Sequence, residues 1–208
     1  MEFNDWKPIY KQILEDFGFS KEDDESAALL LSTLLIADSV EPPETLMQLI
    51  HGKNILVCGN APTLKKELDE LNLQDYIIIA ADGATSVLVD REVIPAIIVT
   101  DLDGDVEKEI EANIQGAIMV VHAHGDNTDK LLKYVPLLSK VIGTTQSEPF
   151  GNIYNFGGFT DGDRAAYLAH HFGASSITLA GFDFDDESVR EIKKKKLQWA
   201  YRLLQNLV

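Results

Sequence analysis

From residue 51 onward, short runs rich in Ile and Val alternate with amphipathic stretches, and this alternation leaves few folds open to the chain. The apolar runs cover 55–58, 76–81, 96–100, 117–122, 140–143 and 176–180. Each is too short for a helix and too continuously apolar for a half-solvated strand, as expected of strands buried on both faces. Between them, 63–71, 106–113, 128–138 and 164–172 read as helices, and a last helix is expected over about 188–207. The pattern predicts an α/β fold: a mostly parallel, Rossmann-like sheet flanked by helices.

The first fifty residues read differently. Trp6, Ile9, Ile13, Leu14 and Phe17 recur at helical spacing, with Gly18 as a stop. Ser20 can cap a second helix, with Glu22, Asp23 and Asp24 in its first turn. That helix carries Ala27, Leu30, Leu31, Leu34 and Leu35; Pro42-Pro43 then punctuates, and a short helix over 44–50 follows. The expected organisation is an N-terminal helical appendage, residues 1–50, capping a catalytic α/β domain, residues 51–208. The apolar helices suit either a cover for the sheet or a homodimer contact.

The chain has 208 residues and a net charge of −16, from 34 acidic and 18 basic side chains. An acidic surface repels phosphate backbones, which argues against a nucleic-acid partner. It also repels free nucleoside triphosphates, so such a ligand would need a metal ion or a local basic group. No run of apolar residues is long enough to span a membrane, and the first ten residues lack an apolar signal core. Cys58 is the single cysteine, which excludes an internal disulfide framework and fits a reducing cytoplasm.

Ligands of open α/β sheets bind beyond the carboxyl ends of the strands. Almost every segment at those ends pairs glycine with a polar or acidic residue. The strongest is Thr100-Asp101-Leu102-Asp103-Gly104-Asp105. If the strand runs on to Asp103, Asp101 and Asp103 share a face, where two carboxylates repel unless a cation lies between them. Mg²⁺ takes such carboxylates together with water and phosphate oxygens, whereas an EF-hand would need flanking helices and other spacing. Asp105 reads as a helix cap. In His122-Ala123-His124-Gly125-Asp126-Asn127-Thr128-Asp129, Asp126 and Asp129 can complete the metal shell, or Asp126 or Thr128 can cap the following helix.

Gly59-Asn60-Ala61-Pro62 is a glycine turn opening a helix, suited either to anion binding or to a tight turn with Pro62 at the first helical position. Gly157-Gly158-Phe159-Thr160-Asp161-Gly162-Asp163-Arg164 is a glycine-rich loop ending in a guanidinium fork suited to phosphate. Lys193 to Lys196 is the main basic cluster, either a solvated helix face or the source of a lysine that reaches phosphate.

Taken together and in order, these segments, with Ala81-Asp82-Gly83-Ala84 and Gly143-Thr144-Thr145-Gln146, resemble the archaeal 6-hydroxymethyl-7,8-dihydropterin pyrophosphokinases from about Asn54 to the C-terminus. The resemblance implies diphosphoryl transfer from ATP to a pterin hydroxymethyl group, with AMP released, in tetrahydromethanopterin or folate-type cofactor synthesis. A more distant likeness is to thiamine pyrophosphokinases, which carry an Ala-Asp-Gly segment, an Asp-x-Asp and an acidic Thr-Asp segment. Here Asp82, then Asp101 and Asp103, then Asp126 with Thr128-Asp129 match them. Gly162-Asp163-Arg164 departs from that family's last loop and argues against thiamine.

The expected site follows. Mg²⁺ falls to Asp101, Asp103, Asp126 and Asp129, and chemistry to Asp101, Asp103, Asp126 and Arg164. Nucleotide and pterin contacts fall to Gly59, Asn60, Asp82, Gly83, Thr144, Thr145, Gln146, Gly158, Asp161 and Asp163. Two other functions fit parts of the pattern. One is a glycosyltransferase of the flagellin-modifying, sialyltransferase-like type, which shares the Gly-x-x-Pro-x-Leu turn at Gly59–Leu64; the other is a non-catalytic nucleotide-binding module.

Overall fold

A computed structural model describes residues 1–205 and 207; Asn206 and Val208, inside the expected last helix and catalytic domain, lie outside the described residues. The strands are β1 (Asn54–Cys58), β2 (Ile77–Ala81), β3 (Ile97–Thr100), β4 (Ile118–Ala123), β5 (Val141–Thr145), β6 (Ile153–Tyr154) and β7 (Ser176–Ala180). They form one sheet in the order β6-β5-β4-β3-β2-β1-β7, and every neighbouring pair is parallel. The chain steps outward from β1 to β6 and returns to the other flank of β1 with β7. The direction therefore reverses at β1, and the crevice beyond the carboxyl ends of β1 and β7 is where an open sheet takes ligands.

The helices are α1 (Phe3–Phe17), α2 (Lys21–Leu34), α3 (Pro43–Ile50), α4 (Leu64–Asp69), α5 (Ala84–Val89), α6 (Val106–Ile114), α7 (Thr128–Tyr134), α8 (Asp161–His171) and α9 (Glu191–Leu204). Strand side chains alternate between two buried faces. Leu56, Cys58, Ile78, Ala80, Ile98, Met119 and Val121 pack with Ala27 and Leu31 of α2, Leu64 of α4, Leu88 of α5, Ala112 of α6 and Leu131 of α7. Ile55, Val57, Ile79, Ile97, Val99, Val120 and Ile142 pack on the other face with Leu46 and Ile50 of α3 and Ala165, Leu168 and Ala169 of α8. Both faces are buried, which is why the runs are apolar without alternation.

Outside α8 lies a third apolar layer, in which Trp6, Tyr10 and Ile13 of α1 meet Phe159, Tyr167, Trp199 and Leu203. Each such large side chain contributes about 1.5–3 kcal/mol on burial. Gly18 ends α1 in the left-handed conformation, and the Ser20 hydroxyl caps α2 by accepting from the N–H of Asp23 at 3.1 Å. The N-terminal helices thus share the core of the sheet and also close its third layer. No helix among the described residues is long and apolar enough to cross a membrane.

Two elements were not anticipated as such: α5, which follows Asp82-Gly83, and β6, two residues long and paired to β5 through Gly143 and Thr144. The helix expected over 63–71 is shorter, and Pro62 lies in the turn before it, with Thr63 at the cap position.

Candidate functional site

The carboxyl ends of the strands open into a cleft of about 510 Å³. Its acidic wall is built by two tight turns. Strand β3 stops at Thr100, so Asp101 and Asp103 do not share a strand face; Leu102 adopts φ 64° instead, with its side chain buried, and folds the chain back on itself. The Thr100 hydroxyl accepts from the Leu102 N–H at 2.8 Å and so fixes that turn. Asp82 follows β2 in a left-handed conformation, φ 43°, and its carboxylate accepts from the Thr100 hydroxyl at 3.0 Å and from the Gly104 N–H at 3.1 Å. A Cβ on residue 104 would lie 2.7 Å from the Asp82 carboxylate, so only glycine allows this approach.

Asp82, Asp101 and Asp103 each offer one oxygen, all within 4.8 Å of one another. Burial acts to raise the Asp101 carboxyl, but its interaction with His124 and the nearby charge of Arg164 outweigh that and hold it below the usual carboxylate range. Asp103 goes the other way: burial, then repulsion from Asp101 and Asp82, push it up to about 6. One buried oxygen of the cluster, Asp101 Oδ1, has no partner.

The second rim segment closes onto the first. His124 Nε2 lies 3.0 Å from Asp101 Oδ2, and its Nδ1 accepts from the Asp126 N–H at 3.3 Å, the pattern of an imidazole protonated on Nε2. Asn127 joins the turns: its amide donates to the carbonyls of Asp101 at 2.9 Å and His122 at 2.7 Å, while its oxygen accepts from the His124 N–H at 3.1 Å. Neither Asp126 nor Thr128 caps α7, where Asn127 holds the cap position without a side-chain cap bond. Asp105 does cap α6, accepting from the Lys108 N–H at 3.4 Å.

The cleft brings together Gly59, Asn60, Asp82, Gly83, Asp101, Asp103, Asp126, Gln146, Asp161 and Arg164. It does not take in five other residues of the expected site. Asp129 is exposed in the first turn of α7, away from the cleft lining, and Asp126 is absent from the three-carboxylate cluster, whose third member is Asp82. Thr144 and Thr145 are buried behind the rim, the first joined to His122 Nδ1 at 3.1 Å and the second to the Ser147 hydroxyl at 3.0 Å. Asp163 is buried in the capping box of α8, where it accepts from the N–H groups of Phe159 and Thr160. Gly158 packs directly under the backbone of Arg164.

Arg164 presents its guanidinium from the first turn of α8, with Nη1 3.0 Å from Asp161 Oδ1 and a buried Nε that has no partner. Burial, with Asp101 next, raises the Asp161 carboxyl well above its ordinary value. Three groups of lining residues escaped the sequence reading: Asp24 from α2, the aromatic pair Phe182 and Phe184 after β7, and Phe159. Asp24 carried a detectable signal, because with Ala27, Ala28 and Leu31 it forms a stripe at helical spacing that is buried throughout.

A parallel sheet whose strand ends open into a cleft with three clustered carboxylates and a buried arginine defines a Rossmann-like α/β protein with a metal-competent, anion-ready site. Comparison with known proteins narrows that class. The sequence profile of the family described as 6-hydroxymethylpterin diphosphokinase MptE-like matches residues 35–188, and the chain belongs to that family. It is 40% identical to the 6-hydroxymethyl-7,8-dihydropterin pyrophosphokinase of Methanocaldococcus jannaschii, over 100% of this chain and 96% of that protein. The proteins of the same name from Methanothermobacter thermautotrophicus and Pyrococcus furiosus are 42% and 44% identical, over 98% and 99% of this chain and 94% of each of theirs.

Proposed function

We propose that the protein transfers diphosphate from ATP to the hydroxymethyl oxygen of 6-hydroxymethyl-7,8-dihydropterin, with Mg²⁺ as cofactor, in tetrahydromethanopterin or folate-type cofactor synthesis. The observation that carries this reading is the Asp82–Asp101–Asp103 cluster at the mouth of the sheet, in a chain whose relatives bear the name of that activity. The hydroxymethyl oxygen bonds to the β-phosphorus of ATP, the bond between that phosphorus and the α-phosphate's bridging oxygen breaks, AMP leaves, and the hydroxyl gives up its proton.

The residues fit the ion. Three carboxylates within 4.8 Å are a hard-oxygen donor set, and Asp101 Oδ1 is buried without a partner. Asp82, Asp101 and Asp103 would hold Mg²⁺, which when bound neutralises charge on the phosphate oxygens. The chain's own work is mainly positioning. Thr100 and the Gly104 N–H fix the rotamer of Asp82, and His124 fixes that of Asp101. Arg164 supplies a guanidinium against the negative charge that develops on the transferred group. Asp126, an exposed cleft carboxylate on the turn that carries His124, orients the hydroxymethyl group and accepts its proton. Asn60 and Gln146 offer amides to the bound substrates, and Phe159 and Phe182 give their flat rings an apolar surface.

The test is an incubation of purified protein with ATP, Mg²⁺ and 6-hydroxymethyl-7,8-dihydropterin, with products resolved by chromatography. AMP and pterin diphosphate in equal amounts, lost on chelation, are expected. ADP in place of AMP, or no pterin product from folded protein, overturns the reading.

A further inference from the structure

The four consecutive lysines of α9 divide into two pairs. Lys194 Nζ lies 3.0 Å from Glu191 Oε1. Lys195 donates to the carbonyl of Asp16, sits 4.0 Å from the carboxylate of that residue and lies over the Phe17 ring, 4.8 Å from its centroid. Lys194 thus pairs within α9, and Lys195 fastens α9 to α1. Lys193 and Lys196 are three residues apart, share a helix face, and line the cleft. Lys196 Nζ is 6.0 Å from the centroid of Phe159, which lines the cleft too. Neither Lys193 nor Lys196 forms an ion pair among the described residues.

The charge balance of the cleft gives this pair its meaning. Two other basic side chains line it: Arg164, already paired with Asp161, faces the transferred group, and His124 is held by Asp101 as a neutral imidazole. The remaining charged lining is aspartate. A nucleoside triphosphate carries more negative charge than one divalent ion offsets, and it must enter a protein of net charge −16. Two flexible ammonium groups on one wall, across from no acidic partner of their own, are the available counter-charge.

We propose that Lys193 and Lys196 bind the triphosphate of the donor nucleotide, so that the donor is gripped by α9 as well as by the carboxylate cluster. The inference rests on the reading above in taking the donor to be a nucleoside triphosphate. It makes the loop from Gly181 to Arg190 and the first turns of α9 the nucleotide side of the cleft.

The experiment compares Lys193→Ala/Lys196→Ala with Lys194→Ala/Lys195→Ala. Calorimetry with Mg²⁺ and ATP alone gives the Kd, and steady-state assays give KM for each substrate. Each lost charge-assisted contact weakens binding by about tenfold, so the first variant, which loses two, should raise the Kd and KM for ATP by about a hundredfold. Its KM for the pterin should stay at the wild-type value, and the salt dependence of its ATP affinity should flatten. The control variant should bind ATP as wild type does, and Lys193→Arg/Lys196→Arg should keep most of the affinity. Should the alanine pair fail to fold, Lys193→Gln/Lys196→Gln keeps the side-chain stems and is judged by the same numbers. A folded cleft-facing variant with wild-type ATP affinity overturns the proposal, as does an equal loss in both alanine pairs. Wild-type protein that binds ATP but forms no AMP sinks the pyrophosphokinase reading and leaves the lysine comparison to be decided by the Kd values. Wild-type protein that does not bind ATP overturns both.

Discussion

Asp24, in the first turn of α2, accepts a hydrogen bond from the backbone N–H of Gly125 at 3.0 Å, across 101 residues of chain. Its other oxygen accepts from the Tyr10 hydroxyl at 2.7 Å and from Gln146 Nε2 at 2.8 Å. Trp6 Nε1 donates to the Gln146 carbonyl at 2.9 Å. One buried carboxylate therefore ties α1, α2, the His124–Asp126 turn and the end of β5 into a single network, and the cleft depends on helices that precede the sheet in sequence.

Replacing Asp24 with Ala leaves two buried donors, Tyr10 Oη and Gln146 Nε2, and the half-buried Gly125 N–H without an acceptor. Stability should fall by about 2–4 kcal/mol. Asp24→Asn should recover only part of this, since its amide N–H groups would face donors. Denaturant unfolding measures the loss. In folded protein the His124–Asp126 turn should also loosen, seen as faster amide exchange at Gly125. Unchanged stability in Asp24→Ala would show that the network contributes nothing net.

The sheet was legible because its strands are buried on both faces, so their apolar runs needed no tertiary information to be recognised. The acidic rim was legible because glycine with a polar or acidic residue recurs after almost every run. What escaped is non-local. β6 is two residues long and exists only through its pairing to β5, and α5 contains Thr85, Val87 and Val89, β-branched residues that weaken a helical signal. The third member of the carboxylate cluster depended on the left-handed turns at Asp82 and Leu102, which no spacing rule encodes. Chain order sets Asp126 and Asp129 next to Asp101; Asp126 does line the cleft with it, whereas Asp129 lies exposed in the first turn of α7, outside the lining.

Glu109 gives a pH test of the buried base of the cluster. It is fully buried on α6, 3.1 Å from the Thr100 hydroxyl. That hydroxyl has one proton, which cannot serve both Glu109 and Asp82. Burial, then repulsion from Asp82, push the Glu109 carboxyl up to about 10. The folded protein therefore holds Glu109 protonated while the unfolded chain ionises it near pH 4, so its contribution to stability is full below that pH and is lost as pH rises toward about 10. Wild-type stability should fall relative to Glu109→Gln by about 1.4 kcal/mol per pH unit between pH 5 and 9. Parallel pH profiles from denaturant unfolding would refute a protonated Glu109.

The cluster assignment separates four aspartates by one measurement. Asp82→Asn, Asp101→Asn and Asp103→Asn should each lower kcat by about a hundredfold or more and shift Mg²⁺ activation to higher concentration. Asp129→Asn, outside the cleft, should behave as wild type. Mg²⁺ should raise the thermal midpoint of wild type but not of Asp101→Asn. An Asp129→Asn enzyme with the larger defect in Mg²⁺ activation would move the ion site onto α7.

Gly158 tests how Arg164 is delivered. Its φ is +89°, and a Cβ there would lie 2.5 Å from the Cα and 2.6 Å from the amide nitrogen of Arg164. Backbone cannot step aside as a flexible side chain can, so Gly158→Ala must displace the first turn of α8. Strained backbone and overpacking together should cost about 2–4 kcal/mol. The displacement carries Arg164 away from its position beside Asp161, so kcat should fall further than the loss of folded protein explains. Arg164→Lys, which keeps the charge but not the fork, should lower kcat without a comparable loss of stability. If Gly158→Ala loses stability but keeps full kcat per folded molecule, then Arg164 does not act on the transferred group from the position seen here.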